Sequence, residues 1–224
     1  MIIYNPQNEN IMKRRIEEAE NLLNQIPAKH CFITGSFLYK EKYKDIDIFV
    51  ISRSKKKISV NHPKAKIAII DFNDLYSLFY HSLSKSCIAK NILPKKPLKV
   101  TLSDYWSIIN EAVPTLLNQK NIYHKSVRSL VLYTEYFLHN EVLDSFQLSE
   151  KIKKFKSYQA VLDYSTENSR KVFGKYGKTS YLKRFFYTQS GYYRKLSGYQ
   201  AQNYLYDLTH QITRGLNHGR SSEV

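Results

Sequence analysis

The sequence predicts an α+β chain: a small mixed β-sheet flanked by helices, followed by an α-helical bundle. Three features predict it. Apolar residues recur at helical spacing across residues 8–26, and four short runs rich in β-branched and aromatic residues fall between 31 and 70. The helical period then returns from residue 74 onward. In the first helix the apolar stripe is Ile11, Ile16, Ala19, Leu22, Leu23 and Ile26, and Pro27 stops it. HCFITGS and IDIFVIS read as strands, SRSKKK as a hairpin turn or loop, and KISV and KAKIAII as two more strands. Residues 74–89, 102–119 and 126–140 each carry apolar side chains at i, i+3, i+4 and i+7, which predicts three helices.

Pro94 and Pro97 in NILPKKPLK mark a boundary, so residues 1–93 are expected to form the α/β domain and 98–217 the helical bundle. Pro114 should kink the second of these helices or mark its first turn. Helical patterning resumes in SEKIKKFKSYQAVLDYS, breaks at FGKYGKTS, and returns in SYLKRFFYTQ and YQAQNYLYDLTHQI before a fraying tail.

Composition bounds the function. The chain has 224 residues, 42% hydrophobic and 14% aromatic, enough for a packed core and therefore not a disordered chain. No stretch approaches the roughly 20 apolar residues that span a bilayer. The first residues, MIIYNPQNENIMKRR, lack the order of a signal peptide. Cys31 and Cys87, each in an apolar run, are expected to be reduced core residues of a cytoplasmic protein. The formal net charge is +16. It is concentrated late: residues 151–224 carry 14 Lys+Arg against 4 Asp+Glu, with 10 of the 19 tyrosines. Basic residues interleaved with tyrosines fit a surface that neutralises phosphates and stacks bases. At three- and four-residue spacing Lys183, Arg184 and Tyr187 share a helix face, as do Tyr192 and Lys195, and with Arg194 these are the candidate nucleic-acid contacts.

The sharpest chemical signal is TGSFLYKEKYKDIDIFVIS. Gly35-Ser36 follows a strand, and Asp45-Ile46-Asp47 opens the next. Residues i and i+2 of a strand share a face, so Asp45 and Asp47 present two carboxylates side by side while Ile46 and Ile48 face the core. Paired carboxylates repel unless a cation sits between them, and Mg²⁺ or Mn²⁺ is the natural occupant. Gly35 permits close backbone approach, and Ser36 with neighbouring N–H groups can hold a phosphate oxygen. No histidine pairs at i, i+4, no glycine-rich phosphate loop is present, and no Ser-His-Asp or Cys-His arrangement stands out.

With its strand ending in Gly-Ser, a spacer, and an Asp-hydrophobic-Asp strand, the segment 31–52 resembles the polymerase-β-like minimal nucleotidyltransferases. Within that superfamily the chain looks most like the small bacterial AbiEii-like proteins of abortive-infection and toxin–antitoxin systems. The resemblance implies a metal-dependent transfer of a nucleoside monophosphate from an NTP to an acceptor. It implies a third carboxylate on a later strand, beside the first two. Asp71, closing KIAIID, is expected there, with Asp74 as the fallback; a strand-end or capping role is the alternative for Asp71. A lysine on the following helix is implied to support the triphosphate, and Lys85 and Lys90 are the candidates. The chain departs from the family at Lys40 and Lys44, where small residues are usual. Lys42 and Lys44 are therefore candidates to pair with the carboxylates or meet the triphosphate, and a degenerate, non-catalytic member stays open.

The charge bears on the acceptor. A protein this basic repels polycationic small molecules and favours a polyanion, so RNA, and a tRNA end in particular, is the expected acceptor. The expected partners are thus NTP, RNA and a cognate toxin or antitoxin protein, with no membrane. The alternative is a non-catalytic nucleic-acid-binding or toxin–antitoxin partner that keeps the fold.

Overall fold

The first helix, α1 (Glu9–Asn24), starts where the Asn8 side chain accepts a hydrogen bond from the Ile11 N–H at 3.1 Å, satisfying a donor that the helix itself leaves unpaired. Five strands accompany it in a computed structural model that describes residues 1–54, 58–122 and 125–176. They are β1 (Ile2–Tyr4), β2 (Cys31–Thr34), β3 (Ile46–Ile51), β4 (Ala65–Ile70) and β5 (Cys87–Ala89). The sheet is mixed, in the order β1-β5-β2-β3-β4. β2 and β3 pair antiparallel, with Thr34 opposite Asp47, whereas β3 and β4 run parallel, with Asp47 beside Lys66. Parallel neighbours need a long crossover, and residues 52–64 supply it.

Alternation along β3 sorts the two sheet faces. Ile46, Ile48 and Val50 join Ile33, Ile88 and the apolar stripe of α1 in one core. Phe32, Ile51, Ile70, Cys87 and Ala89 form the other, beneath Tyr80 and Leu83 of α2 (Leu78–Lys85). The fold is thus mixed helix and sheet, as the periodicities predict. Two details of the expected sheet change. Ile58–Val60 of KISV is not a strand, and its place in the count is taken by the three-residue strands β1 and β5. The single helix expected over 74–89 is a 3₁₀ turn (Asp74–Tyr76), then α2, then β5.

The chain divides into two compact units. One is Met1–Val100 with Val142–Ser149; the other is Thr101–Glu141 with the described residues from Glu150 on. The first unit therefore takes in a segment from well beyond the proline-rich boundary. That segment opens α5 (Ser145–Ile152), and Asp144 caps it reciprocally: the Gln147 N–H donates to Asp144 at 2.9 Å, and the Asp144 N–H donates to Gln147 at 3.0 Å. It is held by Gln7 donating to Asp144 at 2.6 Å, by the Ser82 hydroxyl on the Leu143 carbonyl, and by a Tyr39–Phe146 edge contact.

In the second unit α3 (Leu102–Gln119), α4 (Lys125–His139) and α6 (Tyr158–Tyr176) pack together. α3 begins at a Thr101–Asp104 capping box and stops at Lys120, which is in the left-handed conformation with φ of 51°. Pro114 lies inside it rather than in its first turn. The FGKY of the expected helix break belongs to α6, while the segments further on lie outside the described residues. No helix among the described residues is long and apolar enough to cross a membrane.

Both cysteines are fully buried. Burial lifts the Cys31 thiol from 9.0 to about 11 and pushes Cys87 higher still. Neither should react with a thiol reagent at neutral pH in the native protein, and both should react on unfolding, which an absorbance titration would count. A raised thiol pKa favours the folded state fully below pH about 9, and that contribution is lost as pH climbs through about 11. Alkaline unfolding should therefore begin in that window.

Candidate functional site

The site lies at the end of β2 and the start of β3. β2 finishes at Thr34, which is buried and donates its hydroxyl to the Ser86 carbonyl at 2.8 Å, fixing the strand end against the start of β5. The chain must then leave the sheet at once. Gly35 does this at φ 85° and ψ −161°, a conformation essentially reserved for glycine. Ser36 opens a 3₁₀ turn (Ser36–Leu38) whose Phe37 and Leu38 are buried in the α1-side core. A side chain at Gly35 would put its Cβ 3.0 Å from Asp47 Oδ2, so the glycine is also the floor on which the Asp47 carboxylate sits.

Across three strands at this level the register sets Thr34, Asp47 and Lys66 in one row, all on the face away from α1. Asp45 precedes Asp47 by two residues and shares that face. The expected carboxylate pair is therefore brought together with Gly35 and Ser36. Asp45, about a quarter exposed, forms an ion pair with Lys66 Nζ, and the same contact raises the Lys66 pKa, through the hydrogen bond first and the Asp45 charge second. Lys42 and Lys44 are exposed. Lys40 lies over the Tyr39 ring at 5.9 Å.

Asp71 does not join the pair. Convergence required the end of β4 to lie beside the start of β3, and the parallel register instead aligns Ile70 with Ile51. At about 3.3 Å per residue this leaves Asp71 about 16 Å along the strands from Asp47. Its work there is local: its carboxylate accepts from the Asn73 N–H at 2.9 Å, a capping-type turn. Asp74 cannot replace it, because its own carboxylate accepts from the Asp71 N–H at 3.2 Å at that same far end.

The two candidate lysines separate as well. Lys85 stands at the site end of the sheet, one residue before the Ser86 carbonyl that holds Thr34, but its ammonium donates to the Val142 carbonyl at 2.6 Å. Lys90 follows β5 rather than lying on a helix, at the opposite end of β2. There its N–H donates to the Cys31 carbonyl and its ammonium to the Ile26 carbonyl at 2.8 Å. Lys183, Arg184, Tyr187, Arg194 and Lys195 lie outside the described residues.

Lys66 is the site residue that sequence reasoning missed. Its signal was present in KAKIAII, where a lysine alternates with apolar residues on a strand, but its address depends on the parallel pairing.

Among the described residues no three His, Cys, Asp or Glu side chains gather closely enough to hold a metal ion. The pair still fits one ion of a particular kind. Mg²⁺ is commonly held by one or two carboxylates together with substrate phosphates, and Asp45 and Asp47 supply the protein half of that set.

Replacing Gly35 with Ala should cost about 1–3 kcal/mol from backbone strain alone. It should also displace the Asp47 carboxylate, so metal-dependent ligand binding falls further than stability does. Parallel melting and titration curves would check both.

No family model matches this chain, and neither a curated protein nor a solved structure matches it.

Proposed function

We propose that the chain binds a nucleoside triphosphate with a divalent ion at Gly35, Ser36, Asp45 and Asp47 and transfers its nucleoside monophosphate to an acceptor hydroxyl, whose oxygen bonds to the α-phosphorus as the bond to the β-phosphate breaks and pyrophosphate leaves. The observation that carries this reading is the packing of Gly35 against Asp47, which puts a tight turn, Ser36 and two same-face carboxylates at one strand end. Asp45 and Asp47 would hold the ion, which when bound supplies charge stabilisation at the reacting phosphate. Gly35 lets the phosphate chain approach the backbone, and Ser36 donates to a phosphate oxygen. The chain's +16 charge favours a polyanionic acceptor, and RNA is the proposed one. The organisation, with its Gly-Ser strand and Asp-Ile-Asp strand in register, is the support for a nucleotidyltransferase of the AbiEii-like type.

One observation favours a second reading. The strand position beside Asp47 holds Lys66 rather than a carboxylate, and Asp71 stands at the far end of the sheet. A group to activate the acceptor hydroxyl is then lacking at that strand position. This supports a non-catalytic protein that keeps the site for binding, within a toxin–antitoxin pair. Incubation of the full chain with Mg²⁺, each labelled NTP and total RNA separates the two. The transfer reading expects labelled RNA that disappears with Asp45→Ala/Asp47→Ala. Nucleotide binding without any label transfer would establish the second.

A further inference from the structure

Lys66 is placed by the backbone. It is in register with Asp47 on the neighbouring parallel strand, and its ammonium reaches diagonally back to Asp45. Ala65 and Ile67 on either side of it turn toward the α1 core, so the alternation of β4 delivers Lys66, and not its neighbours, to the carboxylate face. The nearby Lys64 is engaged elsewhere, over the Tyr43 ring at 4.6 Å. Lys66 remains about two-thirds exposed, so its ammonium sits at the open side of the pair where a ligand would arrive.

The charges then set a limit. A polyphosphate approaching two carboxylates needs positive charge between the like charges. One ion carried in with the phosphates supplies part of it, and a lysine ammonium is a well-suited point charge for a phosphate oxygen. A second divalent ion beside Asp45 would have to displace an ammonium already bound there, and would meet its repulsion if it did not.

We propose that Lys66 is the site's resident second cation: it holds Asp45 Oδ2 and meets the phosphate chain, leaving the other Asp45 oxygen and Asp47 to a single divalent ion that binds with the nucleoside triphosphate. This rests on the nucleotide-binding reading above, and goes beyond it by fixing the metal count and naming the phosphate-contacting lysine.

The test uses the full chain, Mn²⁺ and a non-hydrolysable ATP analogue, with bound Mn²⁺ counted by electron paramagnetic resonance and affinity measured by calorimetry. Wild type should bind one Mn²⁺ per bound nucleotide. Lys66→Ala should weaken nucleotide binding about tenfold or more, Lys66→Arg should recover most of it, and Lys66→Asp should admit a second Mn²⁺. Melting curves confirm that each variant is folded, as expected for an exposed side chain. Two Mn²⁺ in wild type, or unchanged affinity in Lys66→Ala, overturns the proposal while leaving nucleotide binding intact. No binding of the Mn²⁺–analogue complex by wild type overturns both.

Discussion

Asp45→Ala/Asp47→Ala should lower the proposed nucleotidyl transfer at least about a thousandfold, the scale on which losing preorganised charge stabilisation of a reacting phosphate is felt. The fold should survive it. Asp45 pairs with an exposed lysine, a solvent-screened contact that adds little to stability, and removing two adjacent carboxylates also removes their mutual repulsion. An unchanged or slightly raised Tm beside lost transfer is the expected signature. A collapse in Tm would instead make the pair a structural element of the β3 start. The single variants separate the roles. Asp47 sits against Gly35 and is paired in register with Thr34, so its loss should be the more damaging of the two.

The largest stability effect is expected in the second unit. Trp106, the chain's single tryptophan, is fully buried in α3 and meets the Phe173 ring edge-on at 5.9 Å. Its neighbour Tyr105 is buried beside it between Phe137 and Phe173, with its hydroxyl shared between Thr134 at 3.2 Å and Ser169 at 3.3 Å. Those contacts fix the surrounding side chains, so the site has little freedom to collapse. Trp106→Ala should cost about 3–5 kcal/mol, a large share of a typical domain's total stability. Chemical denaturation followed by circular dichroism measures it, since the variant has no tryptophan fluorescence. A loss below about 1 kcal/mol would mean that the bundle repacks around the cavity.

Much of the fold was legible because burial is periodic. The stripe of α1 and the span of α3 could be read from apolar spacing, and β3 from its alternation of Asp45 and Asp47 with Ile46 and Ile48. The strands β1 and β5 were not legible, for a physical reason. Cys87, Ile88 and Ala89 are buried on both faces, so three residues without alternation continue the apolar run of α2 and read as more helix. The paired carboxylates and the Gly35 turn were legible for the same reason as β3, since strand periodicity is local. The third position was not. Whether β4 runs parallel or antiparallel to β3 depends on the path of residues 52–64, and that choice decides whether Asp71 or Lys66 stands beside Asp47. Local pattern predicts an element's faces, while its direction is a property of the whole sheet.

The most direct test of the central claim is calorimetric titration of the full chain with MgATP, repeated after Asp45→Asn/Asp47→Asn and again with EDTA in place of Mg²⁺. Binding that is saturable in wild type and lost both with EDTA and with the double variant is the predicted result. Equal affinity in all three titrations would show that nucleotide, if bound, is held somewhere other than the Gly35–Asp47 strand end, and would contradict the account.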